Sequence, residues 1–370
     1  MSEWKTYRLG DLVKIKGGKR LPKGVALTKH HNSHPYIKIR DIGNSKIIEL
    51  DSSFEYVDDE TQKSIAQYIV QKGDLLISIV GTIGLVGVVG ASLNQANQTE
   101  NCAKLTDFQN IDRDYLYYFL KSQQGQEEIK KGIVGAVQAK LPLKNIENIL
   151  VQAPTITTQR RIAGILGALD DKIELNRRIN ANLEEQAEAL YYNLCIDDDN
   201  EFDLCEFADI YSGKSIKPQK SGLYPILGAN GEIGRTNDFL FNDRLIYTGR
   251  VGTLGKIYRV ENKKVWMSDN TLIIKPKIGY NFIYFALKNT DIHSYNVGST
   301  QPLIRQSDIK GIKIFFPTFE TLQNFEQISD TLFSQINNNN DQNTILAALR
   351  DTLLPKLMNG ETIIDSVSLD

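Results

Sequence analysis

The feature that most constrains this chain is that its second half repeats its first. Val80-Gly-Thr-Ile-Gly84 returns as Val251-Gly-Thr-Leu-Gly255, and Asp114-Tyr-Leu-Tyr-Tyr-Phe-Leu-Lys121 as Asn281-Phe-Ile-Tyr-Phe-Ala-Leu-Lys288. Gly135-Ala-Val-Gln138 matches Gly298-Ser-Thr-Gln301, and from there an offset of 163 continues without a gap. It carries Ile146, Ile149, Val151 and Pro154 onto Ile309, Ile312, Ile314 and Pro317. Further on it carries Ile165, Leu169, Ile173, Leu183 and Leu190 onto Ile328, Leu332, Ile336, Leu346 and Leu353. A fold for one half must therefore serve the other.

That requirement settles the most hydrophobic stretch. Leu75 to Leu93 contains no charge and is long enough for a membrane helix. However, Gly81, Gly84, Gly87 and Gly90 recur at every third position, and each costs a helix about 1 kcal/mol. The corresponding segment of the second half, Asp243-Arg-Leu-Ile-Tyr-Thr-Gly-Arg250, is charged. A strand, a glycine turn and a second strand fit both copies.

Each half reads as a strand-rich globule followed by a long helix. Residues 1–154 and 201–317 show short Val, Ile and Tyr runs between Gly, Asn, Asp and Pro. Residues 155–200 and 318–358 change to a helical apolar period and leave a tail at 359–370. The predicted fold is α+β, with two similar globules alternating with two long helices packed as an antiparallel, pseudo-two-fold coiled coil. Forty helical residues span about 60 Å, more than one globule covers, so each helix needs a partner. Taking Asn176 and Asn339 as the crossing point pairs Ile162 with Leu353, Leu169 with Leu346, Ile179 with Ile336, Leu183 with Leu332, and Leu190 with Phe325. A buried Asn pair would fix register at some cost in stability; solvent-facing asparagines are the alternative. The run Ile336-Asn-Asn-Asn-Asn-Asp-Gln-Asn343 has poor helix propensity and threatens the second helix.

Net charge is −2 and speaks against a polyanion binder until it is divided. The globules hold 36 basic and 28 acidic residues; the helical segments and tail hold 7 and 17. Between Lys5 and Arg40 there are ten basic residues and a single acidic one, Asp11. Lys14, Lys16, Lys19, Arg20 and Lys23 follow one another on a strand and its Gly-rich loop, and Lys214, Lys217 and Lys220 occupy the equivalent place in the second globule. Two cationic globules joined by acidic helices suit a polyanion gripped twice, with cations on phosphates and Arg, Asn or Gln on bases. A solvated lysine-rich face is the competing reading.

Catalytic motifs do not assemble. Ser212-Gly-Lys-Ser215 resembles the end of a phosphate-binding loop, but position 208, where the first glycine belongs, is Ala208. Glu128-Ile-Lys130 lacks the acidic partner a nuclease needs, and His30, His31 and His34 lack metal-ligand spacing. No methyltransferase, dinucleotide-binding or nucleophile-elbow motif occurs. Cys102, Cys195 and Cys205 are widely separated, and the N-terminus has no signal-like apolar core, so a cytoplasmic setting is expected.

In this order, twice over, the chain resembles the specificity subunits of type I restriction–modification systems. The resemblance rests on Trp4-Lys-Thr-Tyr-Arg-Leu-Gly-Asp-Leu-Val13, Pro35-Tyr-Ile-Lys-Ile-Arg-Asp41, Gly73-Asp-Leu-Leu-Ile77 and Val80–Gly84, then Tyr224-Pro-Ile-Leu-Gly228, Gly298–Gln301 and Ile309–Pro317. It implies that 1–154 and 201–317 are target-recognition domains, each reading half of a bipartite double-stranded DNA site, and that the helices are spacers and docking surfaces. The implied partners are two methyltransferase (modification) subunits using S-adenosylmethionine and translocase/nuclease (restriction) subunits using ATP and Mg; this chain itself would hold no cofactor or metal and catalyse nothing.

The candidate DNA contacts are Lys14, Lys16, Lys19, Arg20, Lys38, Arg40, Gln138, Lys214, Lys217, Asn230, Arg250 and Gln301. The candidate helix-pair and docking positions are Ile162, Leu169, Asn176, Ile179, Leu183, Leu190, Phe325, Leu332, Ile336, Asn339, Leu346 and Leu353. Other readings are a subunit of a methylation-only or different defence system, a solitary DNA-modifying enzyme, and a non-DNA scaffold.

Overall fold

In the computed structural model, which describes residues 4–43, 45–194, 201–252, 254–298 and 300–361, three sheets are built and then built again. Lys5–Arg8 pairs antiparallel with Leu150–Ala153, closing the first globule at the strand that leads into its helix. Glu201–Asp203 pairs in the same way with Lys313–Phe315. The main sheet of the first globule runs, edge to edge, Lys14–Gly17, Cys102–Thr106, Leu75–Ser78, Val86–Val89, Ile47–Ile48. That of the second runs Ala208–Ser212, Thr271–Pro276, Leu245–Gly249, Ile257–Val260, the same order with one strand fewer. The third sheet flanks Pro35–Ile37 with antiparallel Glu55–Tyr56 and parallel Asn97–Gln98. Its repeat flanks Tyr224–Gly228 with antiparallel Gly231–Thr236 and parallel Trp266–Met267.

The apolar stretch is the expected strand–turn–strand. Leu75–Ser78 and Val86–Val89 pair antiparallel, and the turn takes Gly81 at φ +75° and Gly84 at φ +92°, where a side chain would be strained. Both strands are buried throughout, which explains their unbroken hydrophobicity. Among the described residues no helix is long and apolar enough to cross a membrane.

Contacts divide the chain into two units, residues 1–177 with 340–370, and residues 178–339. Each contains one globule and half of each long helix, Ile156–Leu194 and Phe319–Met358. In the first unit, helix Arg113–Lys121 is capped by Asp112, whose carboxylate accepts from the Asp114 and Tyr115 amides at 3.0 Å. It buries Tyr115, Leu116, Phe119 and Leu120 with Ile162 and Leu166 of the first long helix and Leu357 and Met358 of the second. In the second unit, helix Tyr280–Lys288 buries Phe282, Ile283 and Phe285 against Ala187, Tyr191, Leu322, Phe325 and Phe333. The Glu326 carboxylate takes the Asn281 and Phe282 amides at 3.2 and 2.9 Å, supplying the cap that Gly279 cannot.

The two long helices pack together antiparallel. Within the first unit Arg350 donates to Asp170 at 2.7 Å, and Asn176 donates to Gln342 at 2.8 Å and Asn343 at 2.9 Å. Within the second, Asn339 donates to Asn180 at 2.8 Å. The expected direct crossing of Asn176 with Asn339 is therefore corrected by about one helical turn. The amide pairs are Asn176–Asn343 and Asn180–Asn339, which the repeat offset exchanges. The expected break at the Asn run is also corrected: Phe319–Met358 is one continuous helix. Asn339, Gln342 and Asn343 belong to the polar layer, so tertiary hydrogen bonds offset their poor propensity.

Candidate nucleic-acid interface

The Gly-rich loop after Lys14–Gly17 is held by backbone geometry. A Cβ on Gly18 would stand 2.1 Å from the Thr99 carbonyl oxygen, and one on Gly213, its repeat, 1.9 Å from that of Ser268. Only glycine lets the loop lie flat on the strand beside it. In the first globule this seats Arg20 to Val25 opposite Lys38–Arg40 and Thr99–Asn101, and the space between them is an open cleft of about 900 Å3. Four cations line it, Arg20, Lys23, Lys38 and Arg40, together with Tyr36, Thr99, Glu100 and Asn101.

The cleft is not uniformly positive. Lys38 bonds the carboxylate of Glu55, which also takes the Arg40 guanidinium at 2.7 Å. Arg40 further donates to the Ser53 carbonyl at 3.0 Å, so its plane is fixed while its side chain stays 55% exposed. The hydrogen bond from Lys38, with the charges of Lys38 and then Arg40, holds the Glu55 carboxyl below the usual carboxylate range against the opposing effect of burial. Arg20 lies 3.7 Å from Glu100 and is 86% exposed, a screened contact that leaves it available.

The structure brings Arg20, Lys38 and Arg40 together and leaves their neighbours elsewhere. Lys14 forms an ion pair with Asp107 at 2.7 Å on the edge of the main sheet, and its pKa is raised by that bond. Lys16 is exposed on the same strand. Lys19 stands over the Tyr68 ring at 5.7 Å. Residues the sequence reading missed are Glu55, Thr99 and Asn101, far away along the chain and delivered by pairing of the small sheet. No spacing in the sequence pointed to them.

In the second globule, Lys214 and Lys217 are exposed on the loop after Ala208–Ser212, and the Lys214 carbonyl accepts from the Trp266 indole at 2.7 Å. Asn230 is exposed at the turn between Tyr224–Gly228 and Gly231–Thr236. Lys264, not anticipated, stands over the Tyr224 and Phe239 rings at 5.6 and 4.7 Å. Arg250 is half-buried, and its Nε is shielded from water without a hydrogen-bond partner. Gln138 and Gln301 are both exposed, on loops that dock against the glycine turns Val80–Gly84 and Val251–Gly255.

Of the helix positions, Ile162, Leu169, Asn176, Phe325 and Asn339 are buried. Leu183, Leu190, Leu332, Ile336, Leu346 and Leu353 are half-buried, and Ile179 is 37% exposed, at the margin of the apolar stripe.

One mixed-sheet module made twice, with cationic loops at the surface of each globule, defines an internally duplicated two-globule protein. The family of type I restriction modification DNA specificity domains matches residues 1–185 and again 197–350, and the chain belongs to it. It is 24% identical to the type I restriction enzyme MjaIX specificity subunit of Methanocaldococcus jannaschii, over 99% of this chain and 95% of that one. It is 27% identical to the HindI specificity subunit of Haemophilus influenzae over 54% of this chain and 42% of the other. Among solved structures, the S subunit of a type I system from M. genitalium superposes with a TM-score of 0.60 at 19% identity, covering 96% of each chain, a likeness of fold.

Proposed function

We propose that this chain, a type I specificity subunit, recognises a bipartite DNA site through its two globules and is itself non-catalytic. In the first globule the reading surface is the cleft of Arg20, Lys23, Lys38 and Arg40. There Arg40, oriented by Glu55 and the Ser53 carbonyl, reads a base edge, and the exposed Arg20 and Lys23 hold phosphates. In the second globule Lys214, Lys217, Asn230 and Arg250 take these parts. The observation that carries the reading is the same module built twice in a family of DNA specificity domains, with its cations gathered at a cleft.

The long helices set the gap between half-sites and dock two methyltransferase subunits, which bring S-adenosylmethionine. Half-sites one turn apart lie about 34 Å apart on one face of the duplex. Translocase/nuclease subunits with ATP and Mg complete the assembly, in the cytoplasm. Because methylation requires the base to be extracted by the enzyme that modifies it, this chain need only hold the flanking DNA. Mapping methylated adenines genome-wide with and without the protein tests the proposal. A bipartite motif lost on deletion is expected, and an unchanged methylome overturns it.

A further inference from the structure

The repeat preserves mostly residues that packing explains, but not Gln138 and Gln301. Ile146, Ile149, Val151 and their counterparts Ile309, Ile312 and Ile314 are buried. Gly135 and Gly298 are demanded by the backbone, since a Cβ would meet the carbonyl oxygens of Gln138 and Gln301 at 2.5 and 1.9 Å. Gln138 and Gln301 have no such reason. Both are exposed, and neither side chain bonds another described residue.

Backbone hydrogen bonds close each loop at its base. Val134 and Lys140 exchange backbone hydrogen bonds of 2.9 Å in both directions, and Val297 donates to Leu303 at 2.9 Å in the second copy. Each loop is stitched to the glycine turn beside it, by Leu141 donating to Ile79 at 2.9 Å and by Ile304 donating to Arg250 at 3.0 Å. The first turn abuts the cationic cleft: a Cβ on Gly81 would lie 3.6 Å from Cδ1 of Ile39, which lines it. The second turn follows directly on Arg250 and carries Gly252, whose Cβ would lie 3.8 Å from the Gln301 amide nitrogen.

We infer that Gln138 and Gln301 are a matched pair of sequence-independent DNA grips, each donating its side-chain amide to a backbone phosphate beside its half-site. The inference rests on the reading of the two globules as DNA readers. Beside these loops the globules differ, with the cleft of Lys38 and Arg40 next to the first glycine turn and Arg250 at the second. A contact kept identical in both serves what is identical in every half-site, and that is the phosphodiester backbone. Val137 beside Gln138 is fully exposed and apolar, while its counterpart is Thr300, so the glutamine is the polar side chain that the two loops share. The glutamine is neutral, so it positions DNA without releasing a counterion.

The test uses the complex assembled with its methyltransferase subunits and the variants Gln138→Ala, Gln301→Ala and both together. Each single variant is expected to weaken cognate and unrelated duplexes alike, by about tenfold for one hydrogen bond to a charged group. The double variant should combine the two losses, with the methylated motif and the salt slope unchanged. Gln138→Glu, which keeps the volume and repels phosphate, should lose more than Gln138→Ala. Equal melting temperatures exclude misfolding. A changed motif at one half-site would make the glutamine a base reader, and reduced recovery of methyltransferase subunits would make the loop a protein contact. Either result, or unaltered affinity, overturns the inference. Failure of the unmutated complex to bind DNA in a salt-dependent way would instead overturn the proposed function.

Discussion

Replacing Asn176 by Leu should stabilise the protein, although it deletes two hydrogen bonds. Asn176 is 1% exposed, and its Oδ1 has no partner while its amide nitrogen donates to Gln342 and Asn343. The two bonds contribute about 1 kcal/mol each, net of the water they replace. Against them stand the unmet acceptor, which costs about 1–3 kcal/mol, and the about 1.5–3 kcal/mol that a buried Leu side chain contributes. Gln342 is exposed and Asn343 half-buried, so water can replace their lost partner. The balance favours Leu by about 0.5–4 kcal/mol, or a rise of roughly 1–16 °C in the melting of a unit this size. Asn176→Ala removes the same bonds and leaves a cavity, so it should melt lower than the native chain. Scanning calorimetry of both variants reads the result. If the Leu variant melts below the native protein, the polar layer is a source of stability and not of register, and the reasoning fails.

Arg350→Ala should destabilise the first unit by about 2–4 kcal/mol, because it strands Asp170, 10% exposed, with only the Tyr118 hydroxyl at 2.7 Å; an unchanged melting curve refutes it. Glu55→Gln should strengthen DNA binding by the assembled complex and steepen its salt slope by about 1, as Lys38 loses its carboxylate partner while Arg40 keeps Asp41 at 3.5 Å; equal slopes refute it. Since the pKa of Glu55 is lowered on folding, its ion pairs stabilise the protein above the ordinary carboxylate range and are lost as pH falls through the depressed value. The melting difference between Glu55→Gln and the native chain should therefore shrink in acid. Arg250→Ala should cost about 1–3 kcal/mol of binding and disturb the second half-site; unaltered affinity and methylation pattern would remove Arg250 from the reading surface. Leu183→Asp, at a half-buried position, should lower the melting temperature and the recovery of methyltransferase subunits; if both are unchanged, Leu183 has no part in the helix pair.

The sequence by itself determined the duplication, and with it most of the architecture. An offset that holds over strands, glycine turns and helices forces one fold twice, and a charged copy of the Leu75–Leu93 stretch excludes a membrane span in either. The charge division was also legible, because cations cluster locally before Arg40. Tertiary structure alone decided the helix register. A repeat is self-consistent under shifts of one turn, since apolar residues recur every three or four positions, and only the directional bonds of Asn176, Asn180, Asn339 and Asn343 select one. It alone decided that the Asn run is helical, because propensity is a local quantity and the partners are on the other helix. It alone assembled the cleft, where Arg20, Arg40, Glu55 and Asn101 meet through sheet pairing. Periodicity records which face of an element is buried; which distant side chains share a surface depends on the pairing of strands, and that pairing has no period in the sequence.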